Sequence, residues 1–195
     1  MPISDLISGL NKNDKSVKKQ IFSRFYSKLF AIVIRYGKNQ VQASEMFNEG
    51  FSNCLSKLQH LKNSSQIDLD EFFEKEIIKE CIAFIKNIRS EYYVASTVYA
   101  TNNKENKNYD LFEPNEIIDF YTIENEILVK AIQQLVPSQR LIFNLHIIDG
   151  YSQEESAQLI EASEHTVKSN LEKARYNLQK NIEKCLKENK YEQSF

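Results

Sequence analysis

Glycine and proline are scarce in this chain, with 4 and 3 residues in 195. Sheets and long loops draw on both, glycine for turns with positive φ and proline for rigid bends. Their scarcity disfavours a β-rich fold and points to an all-α protein. Cysteine is also rare. Cys54, Cys81 and Cys185 are odd in number and far apart, and none has a second cysteine or a histidine at metal-ligand spacing. Free thiols in a reducing cytoplasm are expected, with no metal. Neither sign of charge dominates: 25 Lys and Arg stand against 27 Asp and Glu, for a net charge of −2. No global basic field advertises nucleic acid, so any DNA contact must be local and weak for the isolated chain. No signal-peptide pattern and no membrane-length apolar run is seen; the longest apolar run, Leu29 to Ile34, reads as part of a core helix.

What is present is ordinary globular material. Hydrophobic residues make up 42% of the chain, enough for one good core or two small ones. Charge is unevenly placed: residues 1–100 carry 14 basic and 11 acidic residues, residues 101–125 carry 2 and 6, and residues 126–195 carry 9 and 10. An acidic strip therefore separates two near-neutral blocks.

Apolar periodicity divides the chain further. Val17, Ile21, Phe25, Leu29, Ile32 and Tyr36 recur at three- and four-residue steps, which predicts a helix from Ser16 to Gly37. A second helix is expected from Val41 to Leu61 and a third from Asp68 to Ile88, with a short one near Ser4 to Leu10. Together they form an N-terminal bundle over residues 1–90. Periodicity then fails. The run Asn102-Asn103-Lys104-Glu105-Asn106-Lys107-Asn108 is too polar to offset its ordering entropy, so 91–121 reads as a flexible acidic linker. A second domain is expected over 122–195. Ile123, Ile127, Ala131, Ile132 and Leu135 mark its first helix, Pro137 restarts the chain, and Leu141, Ile142, Leu145 and Ile148 point inward until Gly150.

The next residues have the layout of a helix-turn-helix. Ser152-Gln153-Glu154-Glu155 is a capping box, Ala157 is small enough for two helices to cross, and Ser163 caps a long polar helix after a three-residue corner. On that helix Val167, Leu171, Ala174 and Leu178 share an inward arc. The opposite arc is centred on His165, Ser169, Glu172 and Tyr176 and flanked by Lys168 and Lys173, with Thr166 near its start and Arg175 and Lys180 beyond. Short polar groups for base edges and lysines for phosphates are what a recognition helix offers. A solvated amphipathic face would carry the same pattern.

With those residues in place, the C-terminal third resembles region 4 of bacterial RNA polymerase sigma factors of the small extracytoplasmic-function (ECF) type. Pro137, Arg140, Gly150, Tyr151, Ser152, Glu155, Ala157, Ser163, Thr166, Val167, Lys168, Ser169, Ala174 and Arg175 match that family's recurring strings. Three positions depart. Glu161 stands where the family has a corner glycine, which predicts a strained or reshaped turn. Ser156 replaces a buried Ile, and Asn170 replaces an Arg that helps hold phosphate. The N-terminal bundle resembles region 2 through Ala43, Glu45, Met46, Glu49, Phe51, Lys57 and Leu58, with Asn48 in place of a Gln and Gly50 in place of a Val. Trp is absent, and Phe72-Phe73 stands where the family has its Trp-Leu core pair.

The resemblance implies that His165, Thr166, Lys168, Ser169, Glu172, Lys173, Arg175 and Tyr176 contact the −35 promoter element beside the β flap. It implies that Glu45, Asn48 and Glu49 grip the β′ clamp helices of core RNA polymerase, and that Lys79, Lys86, Asn87 and Arg89 approach the −10 DNA. An anti-sigma factor is a further implied partner, and the bacterial cytoplasm the implied location. Glycine-rich phosphate loops, His-Glu-x-x-His and nucleophile-elbow motifs are missing. Neither enzymatic activity nor a cofactor is expected. Two alternatives stand beside a sigma factor: a stand-alone helix-turn-helix regulator, and a divergent sigma-like protein that binds a partner without opening DNA.

Overall fold

A computed structural model of the protein describes residues 2–61, 67–88 and 123–192. The linker expected over 91–121, and Arg89, lie outside the described residues. Among the described residues all regular structure is helical, and no helix is long and apolar enough to cross a membrane. The chain divides into two compact units, Met1–Phe84 and Ile85–Phe195.

The N-terminal unit is built on α1 (Ile3–Asn11), α2 (Lys15–Tyr36), α3 (Gln40–Gln59) and α4 as far as Phe84; α4 itself runs from Leu69 to Asn87. Side-chain caps set the starts. Asp14 accepts from the Ser16 amide, Asn39 from the Gln42 amide, and Asp68 from the Asp70 amide. Every apolar position expected to face inward on α2 is buried. On α3, Met46, Phe47, Phe51, Cys54 and Leu58 are buried and Leu55 is half-buried, as is Leu61 just beyond the helix end. The Phe25 and Phe73 rings stack at 4.4 Å in the centre of the unit, so Phe73 supplies bulk to a core without Trp. Gly50 explains itself here: a Cβ would come within 2.9 Å of the Ile77 side chain, so its absence lets α3 and α4 approach closely. Burial pushes the Cys54 thiol up to about 12, which keeps it protonated and inert.

Beside that crossing lies a charged cluster. Lys57 Nζ is 2.7 Å from both Glu76 and Glu80, Lys79 Nζ is 2.7 Å from Glu76, and the Asn53 amide donates to Glu80 at 2.7 Å. Burial alone would push the Glu76 carboxyl up, but the two ammonium groups outweigh it and hold its pKa below the ordinary 4.5. A depressed carboxylate pKa stabilises fully above 4.5, and that stabilisation is lost as pH falls through the lower folded value. Lys57→Met leaves two carboxylates, only 14% and 15% exposed, without their main counter-ion. The half-exposed ammonium reduces the cost toward surface-pair scale, so we expect about 1–2 kcal/mol at neutral pH. The loss should shrink below pH 4.5 as Glu76 protonates, which urea titrations at pH 7 and pH 4 would measure.

The C-terminal unit begins with α5 (Asn125–Gln133) and α6 (Pro137–Phe143), followed without a break by a π turn, Asn144–Ile148. Then come α7 (Gln153–Ile160) and α8 (Glu164–Glu192). Arg140 is 3% exposed, and its Nη1 donates to the carbonyls of Gln133 at 2.9 Å and Leu135 at 2.7 Å. A buried guanidinium thus satisfies carbonyls left over at the end of α5, where a positive charge is also favoured by the helix dipole. The π turn was not expected from the sequence. It widens the helix, so the inward series ends at Leu145. Ile148, expected to face the core, is 43% exposed, and Ile147 is 42% exposed. Gly150 closes the element at φ 77.

Candidate nucleic-acid interface

The path from Ser152 to Glu164 fixes where α8 points. The Glu155 amide donates to Ser152 Oγ at 3.0 Å, and the Ser152 amide donates to Glu155 Oε2 at 2.7 Å. Both halves of the capping box read from the sequence are therefore formed. Ala157 is buried, as its small size suggested. Ser156, in place of a larger apolar residue, is fully buried with its hydroxyl unpaired.

At the corner Glu161 adopts φ 57 and ψ 47, the left-handed region. The Ala162 amide donates to the Ala157 carbonyl at 3.0 Å and the Glu161 amide to the Gln158 carbonyl at 3.3 Å. This is the Schellman pattern. The corner therefore keeps the glycine geometry without the glycine. Ser163 Oγ then accepts from the Thr166 amide at 3.1 Å and starts α8.

The two faces of α8 separate as the sequence indicated. Val167, Leu171 and Ala174 are at most 3% exposed, and Leu178 packs against the cluster of Ile123, Ile127, Ala131, Ile182 and Cys185. Asn177 donates to Gln139 at 2.8 Å and Asn181 to the Ala131 carbonyl at 3.0 Å, which ties the helix to α6 and α5. On the other side His165, Thr166, Lys168, Glu172 and Arg175 are exposed, and Ser169, Lys173 and Tyr176 are half-exposed. Among the described residues the side chains of Lys168, Glu172 and Lys173 form no hydrogen bond or ion pair.

Some members of the arc are already engaged. The Thr166 hydroxyl lies 2.9 Å from Ser163 Oγ, so it serves the cap. Lys180 Nζ sits 4.4 Å from the Tyr176 ring centre. Asn170, where the related pattern has an arginine, turns its amide back onto the Thr166 carbonyl at 3.0 Å. Arg175 stands at the rim of a groove of about 470 Å³ lined by Leu128, Ile132, Phe143, Ile148 and Ile182. Sequence reading missed this groove. The exposed Ile148 marks it, but only once the π turn has moved that side chain outward.

The other described residues singled out from the sequence lie on two helices, α3 and α4. Glu45, Asn48 and Glu49 are exposed together on α3. Next to them Phe22 and Tyr26 of α2, 42% and 38% exposed, cover Phe47 and Phe51. Lys79 is paired with Glu76, while Lys86 and Asn87 occupy the last turn of α4. Lys79 is thus held within the charged cluster of α3 and α4.

This geometry defines a helix-turn-helix domain: a capped brace helix, a left-handed corner and a second helix with one buried and one free face. Residues 125–178 match the family model of sigma-70, region 4. No curated protein matches the chain. Among solved structures, the chain is similar to the sigma factor RpoE in complex with the anti-sigma factor NepR from Bartonella quintana. Identity there is 18%, over 85% of this chain and 96% of that one, with a TM-score of 0.47.

Glu161→Gly removes the steric cost of a left-handed non-glycine residue, about 1 kcal/mol. Thermal unfolding of the variant should show a C-terminal unit stabilised by up to that amount. A midpoint no higher than that of Glu161→Ala, which loses the same Glu161–Lys86 pair at 3.1 Å but keeps a left-handed non-glycine residue, would mean that the corner carries no strain.

Proposed function

We propose that the chain is an ECF-type sigma factor that binds core RNA polymerase in the bacterial cytoplasm and directs it to a class of promoters. One observation carries the reading. The region 4 segment presents His165, Thr166, Lys168, Ser169, Glu172 and Lys173 outward on a helix whose opposite face is fully buried. In this reading those residues, with Arg175 and Tyr176, meet the −35 element. Lysines at the sides approach phosphates and the central side chains approach base edges.

The remaining assignments follow from the same reading. Residues 1–90 act as a region 2 domain, 91–121 as a linker and 122–195 as the region 4 domain. Glu45, Asn48 and Glu49 contact the β′ clamp helices, and their common exposure on α3 supports this. Lys79, Lys86, Asn87 and Arg89 are the contacts for melted −10 DNA, and to serve there Lys79 and Lys86 must each leave a carboxylate, Glu76 and Glu161 respectively. The apolar groove under Arg175 takes the β flap, and an anti-sigma factor would compete for these polymerase-binding surfaces. The protein itself performs no catalysis. Each domain binds weakly, as a net charge of −2 demands, and tethering through polymerase raises the effective concentration of each at its site.

Retention of the full chain on immobilised core polymerase, followed by run-off transcription, tests the proposal. No retention removes the sigma reading in favour of a stand-alone regulator. Retention without transcription leaves a sigma-like binder that does not open DNA. Lys168→Glu should weaken promoter binding roughly tenfold or more by placing a negative charge near phosphate, with helicity unchanged in circular dichroism. Unaltered promoter affinity would mean that the wrong face has been identified.

A further inference from the structure

We propose that Glu172 reads a cytosine in the major groove and so sets base preference at one position of the site. The proposal rests on the DNA-docking reading of α8 given above. Glu172 begins as an electrostatic problem. It is exposed on the arc shared by His165, Ser169 and Tyr176, eight residues into the helix, or roughly 12 Å from its start. A carboxylate held among phosphates is repelled by every one of them, and this chain has no excess of positive charge to offset that.

Its neighbours do not neutralise it. Lys168, one turn earlier, is the obvious partner, yet no ion pair forms between them among the described residues. A lysine four residues before a glutamate is the less favourable order of the two on a helix, which is consistent with that. Lys168 and Arg175 lie roughly 40–60° to one side of Glu172 and Ser169 and Tyr176 a similar angle to the other, at 3.6 residues per turn. The basic side chains can therefore reach toward a backbone strand while Glu172 points between the strands at the bases.

Base chemistry then selects the partner. Guanine and thymine present no donor to the major groove, and their acceptor atoms repel a carboxylate. Adenine offers its N6 donor, but beside the N7 acceptor. Cytosine offers the N4 amino group with no acceptor of its own beside it, and is the base that an acidic side chain reads. One direct contact of this kind discriminates roughly tenfold between bases. A glutamine at the same place satisfies adenine instead, donating to N7 and accepting from N6.

The test is selection from a random duplex DNA library by the full chain bound to bacterial core RNA polymerase, using wild type, Glu172→Gln and Glu172→Ala. The wild-type consensus should contain one cytosine that Glu172→Gln changes to adenine and Glu172→Ala leaves unspecified, with all other positions kept. The site is solvent-facing, so both variants should match wild type in circular dichroism and thermal midpoint. An identical consensus for wild type and Glu172→Ala overturns the role of Glu172 alone. Failure of the wild type to enrich any sequence overturns the DNA-docking reading of α8, and this inference with it.

Discussion

One apolar seam along α8 holds the C-terminal unit together. Val167, Leu171 and Ala174 bury its first half against the preceding helices, and Ile182 and Cys185 bury its second half against α5. Burying a Val, Leu or Ile side chain contributes about 2 kcal/mol, so a few such positions exceed any single polar contact nearby. Because the seam is narrow, the rest of the helix circumference stays outside. The free face is a consequence of where the apolar residues fall, and it keeps its direction because Asn177 and Asn181 are bonded to α6 and α5.

That dominance explains how the corner tolerates its own defects. Glu161 pays about 1 kcal/mol for its left-handed backbone, and the unpaired Ser156 hydroxyl costs roughly 1–3 kcal/mol of desolvation. Both lie at the α7–α8 junction, where local rules would ask for glycine and an apolar side chain. The hydrogen bonds of the Schellman turn and the two serine caps keep the geometry, while the seam supplies most of the stability. The orientation of α8 is thus set by packing on both sides of the corner.

Much of this was legible in the residues because it depends on short-range periodicity and capping chemistry. The inward face of α2, the Ser152–Glu155 box, the Ser163 cap and the split of α8 into two faces all follow from side chains three or four apart. What was not legible depends on longer-range geometry. No residue pattern announces the π turn, so Ile148 was assigned inward from helical spacing that the turn interrupts. The groove followed it out of sight. Lys79 looked like part of a basic edge, although Glu76 pairs with it three residues away on α4; that Lys57 joins the same carboxylate becomes visible only when α3 and α4 cross at Gly50. Asn170 could be seen to replace an arginine, but not that its amide would turn onto its own helix.

Fold and function meet on the free arc of α8. The buried seam settles which side chains are available, and the polar composition of the arc settles what they can address. Cryo-electron microscopy of the full chain with core RNA polymerase on a promoter fragment tests this link most directly. The account predicts density for the first turns of α8, with His165, Ser169 and Glu172, inside the DNA major groove, and the Val167–Leu171–Ala174 seam still packed within the unit. Density showing that arc against protein, with DNA elsewhere, would contradict it.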